Sequence, residues 1–143
     1  MTQPVLCAVD ISNGDDDLKT IQTAARMAAL DGAQLDVIAV VPDYGLSPVS
    51  SFFTQDHHDM AVTEGRALLN DLVTRAIGAE ANAQVNHVVG TGRAYDEVLK
   101  LAAQINPALI VIGARKSDLA DYLLGPNAAR IVRHANTSVY VVR

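Results

Sequence analysis

The run Val5-Leu6-Cys7-Ala8-Val9 is apolar at every position and is ended by Asp10. A strand with one wet face alternates apolar and polar residues. A strand covered on both faces reads as a continuous aliphatic run, and such strands belong to parallel sheets. Four more runs follow. Asp36-Val37-Ile38-Ala39-Val40-Val41 stops at Pro42, Val85 to Val89 is weaker, Ala108 to Ile112 is strong, and Ser138 to Val142 closes the series. Between them the apolar spacing turns helical. Leu18, Ile21, Ala25 and Ala28 precede Gly32; Leu69, Leu72, Val73 and Ala76 precede Gly78; Tyr95, Val98, Leu99 and Ala102 precede Asn106-Pro107; Ala128, Ile131, Val132 and Ala135 mark a last helix. Gly and Pro stand where such helices should stop. Right-handed crossovers convert this order into a single doubly wound open α/β sheet of five parallel strands, with helices on both faces.

Composition narrows the classes. The chain has 143 residues, one domain's worth (1–143), without repeat or linker. Half of it is hydrophobic but only 4% is aromatic, so the core must be aliphatic. A net charge of −5 gives nucleic acid no general electrostatic hold. The single cysteine, Cys7, excludes an internal disulfide and any multi-cysteine metal site. No apolar stretch is long enough to span a bilayer, and Thr2-Gln3-Pro4 resembles no signal or transit peptide. The expected location is cytoplasmic, with no membrane insertion. The one long irregular stretch expected is 42–59.

In open α/β sheets ligands bind beyond the carboxyl ends of the strands, where strand order reverses. The loop after the first strand, Asp10-Ile11-Ser12-Asn13-Gly14-Asp15-Asp16-Asp17, has no Gly-x-Gly-x-x-Gly. Three consecutive carboxylates would repel a phosphate, so a dinucleotide fingerprint is excluded. Their plain reading is acids complementing a helix dipole; the sharper one is a divalent cation held against nucleotide phosphates. The loop after the fourth strand opens with Gly113-Ala114-Arg115-Lys116 and closes with Gly125-Pro126-Asn127-Ala128. Glycines let a phosphate approach the backbone, a helix start supplies free N–H groups, and Arg115 and Lys116 add charge. A structural loop with capping glycines has the same spacing.

Tyr122-Leu123-Leu124-Gly125-Pro126-Asn127-Ala128-Ala129-Arg130-Ile131-Val132-Arg133-His134-Ala135, with the strand Ser138-Val139-Tyr140-Val141-Val142, resembles the C-terminal signature of the universal stress protein family. Asp10, Ala39-Val40-Val41-Pro42 and Gly90-Thr91-Gly92 extend the resemblance over the whole chain. It implies a Rossmann-like fold of the adenine nucleotide alpha hydrolase type, and a stress-response regulator that acts through a protein partner. The implied cofactor is ATP, or AMP or ADP, with magnesium as a companion. Asp10 and Val40 would flank the adenosine. Gly113, Arg115 and Gly125 would shape the phosphate loop, with backbone groups around Asn127 at its end. The family pattern is Gly-x2-Gly-x9-Gly followed by Ser or Thr. Here Lys116 replaces the second Gly, eight residues separate it from Gly125, and Pro126 replaces the hydroxyl residue. Proline removes a hydroxyl and an N–H from the phosphate site, which implies weaker ATP binding or a preference for fewer phosphates. The alternative is a nucleotide-free dimeric interaction protein of the same fold.

Other chemistry-bearing residues have plainer readings. Adjacent side chains in Asp56-His57-His58-Asp59 diverge, so a solvated loop is expected and no metal site. His134 suits a helix C-terminus, His87 has no visible partner, and Cys7 is a buried thiol. Gly90-Thr91-Gly92 lacks the Lys-Ser/Thr of a P-loop and reads as a turn. A receiver domain would need a phospho-acceptor Asp after the third strand, which ends at Gly90. A flavin module would want more aromatic residues than four Tyr and two Phe. A nucleotidyl transferase would need His or Lys near the first strand, and no nucleophile–base–orienter set exists anywhere, so no enzyme is expected. The final strand carries no Pro, Lys or inward charge before Arg143 and is apolar on both faces. The resemblance puts it at a sheet edge, so a homodimer through that strand is expected.

Overall fold

The computed structural model describes residues 2–13, 15–41, 54–114 and 125–143. Five strands, β1 (Val5–Val9), β2 (Leu35–Val41), β3 (Asn86–Thr91), β4 (Leu109–Gly113) and β5 (Ser138–Val142), form one sheet in the order β3-β2-β1-β4-β5. All four pairings are parallel. The helices are α1 (Leu18–Asp31), α2 (Thr54–Ile77), α3 (Ala79–Asn82), α4 (Ala94–Ile105) and α5 (Pro126–His134), and a short 3-10 turn covers Ile11–Asn13. Two cores follow from strand alternation. Cys7, Val37 and Val111 point to the face packed with Ile21, Ala24, Leu69 and Val73 of α1 and α2. Leu6, Ile38 and Ile110 point to the face packed with Val98 and Ile131 of α4 and α5. Both faces of β1 are thus dry, as its unbroken apolar run requires. The Arg130 guanidinium stacks 4.6 Å from the Tyr95 ring centroid and ties α5 to α4.

Helix ends obey the sequence signals. Gly32 sits at φ +61° after α1, with Ala33 N–H donating to Ala28 O (2.8 Å), and Asn106 closes α4 at φ +50°. Four expectations are corrected. Helix α2 begins at Thr54, so Asp56-His57-His58-Asp59 lies in a helix and not in a loop. The N-terminal half of α2 carries too few core-facing apolar residues to show a helical stripe, which hid it. Strand β3 runs on through Gly90 and Thr91, leaving the turn to Gly92 at φ +122°. Val132, read as core-facing, is 43% exposed. His87 has a partner after all: its Nε2 lies 2.6 Å from Asn82 Oδ1, while Asn82 Nδ2 donates to Asn70 Oδ1 and Thr74 Oγ1 (both 2.8 Å). The acceptor Oδ1 requires the proton on Nε2, and partial burial pushes the His87 pKa down.

Candidate functional site

Consecutive strands β1 and β2 neighbour each other, but β4 lies on the other side of β1. The chains leaving β1 and β4 therefore diverge to opposite faces and open a crevice between their carboxyl ends. That crevice holds about 500 Å³, within the usual range for a small-molecule site. Its floor is apolar: Ala8, Val40, Ile112 and Ala128 line it, with Val98 and Ala94 contributed by α4. The small residues Ala8, Ala94 and Ala128 are what leave it hollow.

Five of the six residues expected at the site line this one crevice: Asp10, Val40, Gly113, Gly125 and Asn127. Arg115 lies outside the described residues, as does Lys116. Asp10 follows β1 and its Oδ1 accepts the backbone N–H of Ser12 (2.9 Å) and the Ser12 hydroxyl, an Asx-turn that shapes the loop. Gly125 N–H donates to Ala114 O (2.7 Å), and Ala114 N–H donates to Val142 O (2.7 Å). The two ends of the loop after β4 are thus clamped side by side against β5. Gly125 is the N-cap of α5 and Pro126 its first helical residue; Ala129 N–H makes the first intrahelical bond, to Gly125 O (2.9 Å). With the Gly125 N–H engaged and Pro126 lacking one, the donors that helix geometry leaves at this end are Asn127 and Ala128.

Asp17 departs from the dipole-complement role expected of it with Asp15 and Asp16: the three carboxylates part company. Asp15 pairs with Arg75 of α2, which also binds Asp71 (3.0 Å). Asp16 stays exposed on the crevice rim. Asp17 turns inward, where Oδ2 accepts the Asp10 N–H (2.7 Å) and Oδ1 the Thr20 hydroxyl (3.1 Å). Burial pushes its pKa above the ordinary 3.8; the two hydrogen bonds oppose this, and the nearby Asp10 and Asp16 charges add to it. The same contact gives Gly113 a reason beyond phosphate approach, because a Cβ there would stand 3.0 Å from Asp17 Oδ1 and 3.3 Å from Thr20 Oγ1. The part α2 plays in the site goes beyond the expectation too: Ala61, Glu64, Gly65 and Leu68, N-terminal to the expected stripe of Leu69, Leu72, Val73 and Ala76, form one wall. The available signal was Gly65 itself, a glycine inside a helix, where a Cβ would meet Val41 Cγ1 at 3.2 Å. Beneath the crevice Cys7 is fully buried, and burial, then the Asp17 charge, hold its thiol well above the usual range. Among the described residues no group of His, Cys, Asp or Glu is arranged to hold a metal ion, and no helix is long and apolar enough to cross a membrane.

Fold and crevice together define a doubly wound α/β protein with a preformed pocket at its topological switch point. The profile of the universal stress protein family matches residues 1–143, and the chain belongs to that family. Universal stress protein G of Shigella flexneri is 40% identical over 60 residues, a stretch covering 42% of this chain and 42% of that relative. Universal stress protein UspA from Lactobacillus plantarum matches over 100% of both chains at a TM-score of 0.75 and 18% identity. The universal stress protein from Archaeoglobus fulgidus in complex with dAMP covers 99% of this chain and 98% of its own, at a TM-score of 0.63 and 16% identity. At such identities the structural likeness speaks for the fold.

Proposed function

We propose that this chain is a cytoplasmic regulator that binds an adenine nucleotide in the crevice, performs no chemistry on it, and acts through protein partners. The observation that carries the reading is convergence: Asp10, Val40, Gly113, Gly125 and Asn127, from four separate stretches of sequence, line one cavity of about 500 Å³. The residues suit such a ligand. An apolar floor suits a purine ring, Asp10 and Val40 line the crevice and would flank the adenosine as the resemblance implies, and the Asn127 and Ala128 N–H groups can meet a phosphate at the start of α5. Arg115 would add a cation, and the A. fulgidus relative binds an adenine nucleotide, dAMP. The ligand the resemblance implies is ATP, or AMP or ADP, with magnesium as a companion. The test is calorimetric titration of the purified protein with Mg-ATP and AMP. Saturable binding that weakens in Arg115→Ala is expected; no heat and no thermal shift at about millimolar nucleotide would overturn it.

A second reading, the nucleotide-free interaction protein, draws on Gly125 and Pro126, which between them withdraw two donors from the phosphate end. In either case β5 is an edge strand, and Tyr140 on it is 42% exposed. Antiparallel pairing of two copies along β5 would satisfy its open backbone groups. Sedimentation equilibrium should find a dimer for the native protein and a monomer for Val141→Pro, which removes a donor from the strand.

A further inference from the structure

The β1 side of the crevice ends in a carboxylate for which the proposed function has no use. Asp17 occupies the N-cap position of α1 without making a side-chain cap bond; its carboxylate is committed instead to Asp10 N–H and the Thr20 hydroxyl. Its Oδ1 abuts Gly113, and the next residue, Ala114, is bonded to both Val142 and Gly125. The carboxylate therefore stands beside the base of the loop whose far end presents the Asn127 and Ala128 N–H groups. The charged groups that line the crevice among the described residues are all acidic: Asp10, Asp16, Asp17 and Glu64. A ligand's phosphates would meet two donors on one side and a fixed carboxylate on the other. Each added phosphate charge strengthens the repulsion and gains nothing from Pro126.

We propose that Asp17 is the specificity-determining residue of the crevice: seated against Gly113 at the phosphate end, its carboxylate selects adenine nucleotides of low charge, the monophosphate over the triphosphate. The inference rests on the adenine-nucleotide reading above. Asparagine is a clean probe, because its Oδ1 can accept the Asp10 N–H while its Nδ2 donates to Thr20 Oγ1 once that hydroxyl turns. Serine, a good N-cap residue, is a second neutral replacement.

The experiment titrates the native protein, Asp17→Asn and Asp17→Ser with adenosine, AMP and ATP, in EDTA and again with magnesium. In EDTA the native protein should bind AMP at least about fivefold tighter than ATP. Both variants should gain about tenfold for ATP, about two- to threefold for AMP, and nothing for adenosine, the pattern of a lost charge a few ångströms from the phosphates. An ATP-to-AMP ratio that is the same in all three proteins would overturn the inference while leaving the nucleotide reading intact. Loss of Mg-ATP binding in Asp17→Asn would also overturn it, making the carboxylate a cation ligand. If neither adenosine nor any nucleotide binds, the functional reading falls and the inference with it.

Discussion

The two strand ends that meet at the switch point carry opposite chemistry. At the end of β1, Asp10, Ser12, Asp17 and Thr20 are bonded to one another, so that side is a closed, acidic lattice. At the end of β4, the clamp from Gly125 to Ala114 fixes the loop base, and the first turn of α5, with Asn127 and Ala128, lines the crevice. The topology that makes the crevice is common to both sides, yet one side carries carboxylates and the other a helix start. What a doubly wound sheet can hold is thus decided by its loops, and here the decision turns on which backbone N–H groups already have protein partners.

The largest effect should come from forcing the two sides apart. Gly113→Ala places a Cβ 3.0 Å from Asp17 Oδ1 and should cost about 1–3 kcal/mol in urea unfolding. In an Asp17→Ala background the same change should cost clearly less, because the obstructing oxygen is gone. Equal costs in both backgrounds would mean that the two strand ends are not in contact. A smaller effect is expected on the donor side. Pro126→Ser restores an N–H and a hydroxyl at the start of α5 and should tighten ATP by up to about tenfold, near 1.4 kcal/mol, with much less change for AMP. Unchanged ATP affinity would place the phosphates elsewhere.

The smallest effect separates the two sides by pH. Because burial raises the Asp17 pKa in the folded state, the unfolded chain ionises this group first. The native protein then loses stability as pH rises from about 3.8 through the raised folded value, and the loss is complete above it. Asp17→Asn carries no such loss. Its urea midpoint should match the native one below about pH 3.8 and exceed it at neutrality, by less than about 1 kcal/mol. A difference that is constant across this range would mean that the carboxylate is as well solvated folded as unfolded.

Much of this architecture was legible. The continuous aliphatic runs of β1, β2 and β4 announced strands dry on both faces, and Gly32, Gly78 and Asn106 announced helix ends. Strand β3 was blurred for a physical reason: it is an edge strand, half-exposed along most of its length, so burial imposes a weaker pattern on it. The first half of α2 was illegible because it faces the crevice through Ala61, Glu64 and Gly65 and not the core through large aliphatic residues. Glycines and the helix start located the donor side of the site, since those signals are local. Asp17 escaped because its significance lies in contact with Gly113, a residue far along the chain. Likewise the His87–Asn82 bond depends on the turn at α3, which no apolar periodicity marks.

The central claim, that an adenine nucleotide lies across the two strand ends, is tested most directly by following backbone amide resonances during titration with AMP. Saturable shifts are expected at Asp10, Val40, Gly113, Asn127 and Ala128, with β3 and the outer face of α1 unmoved. Saturation without shifts at these residues, or no shift anywhere at about millimolar AMP, would contradict it.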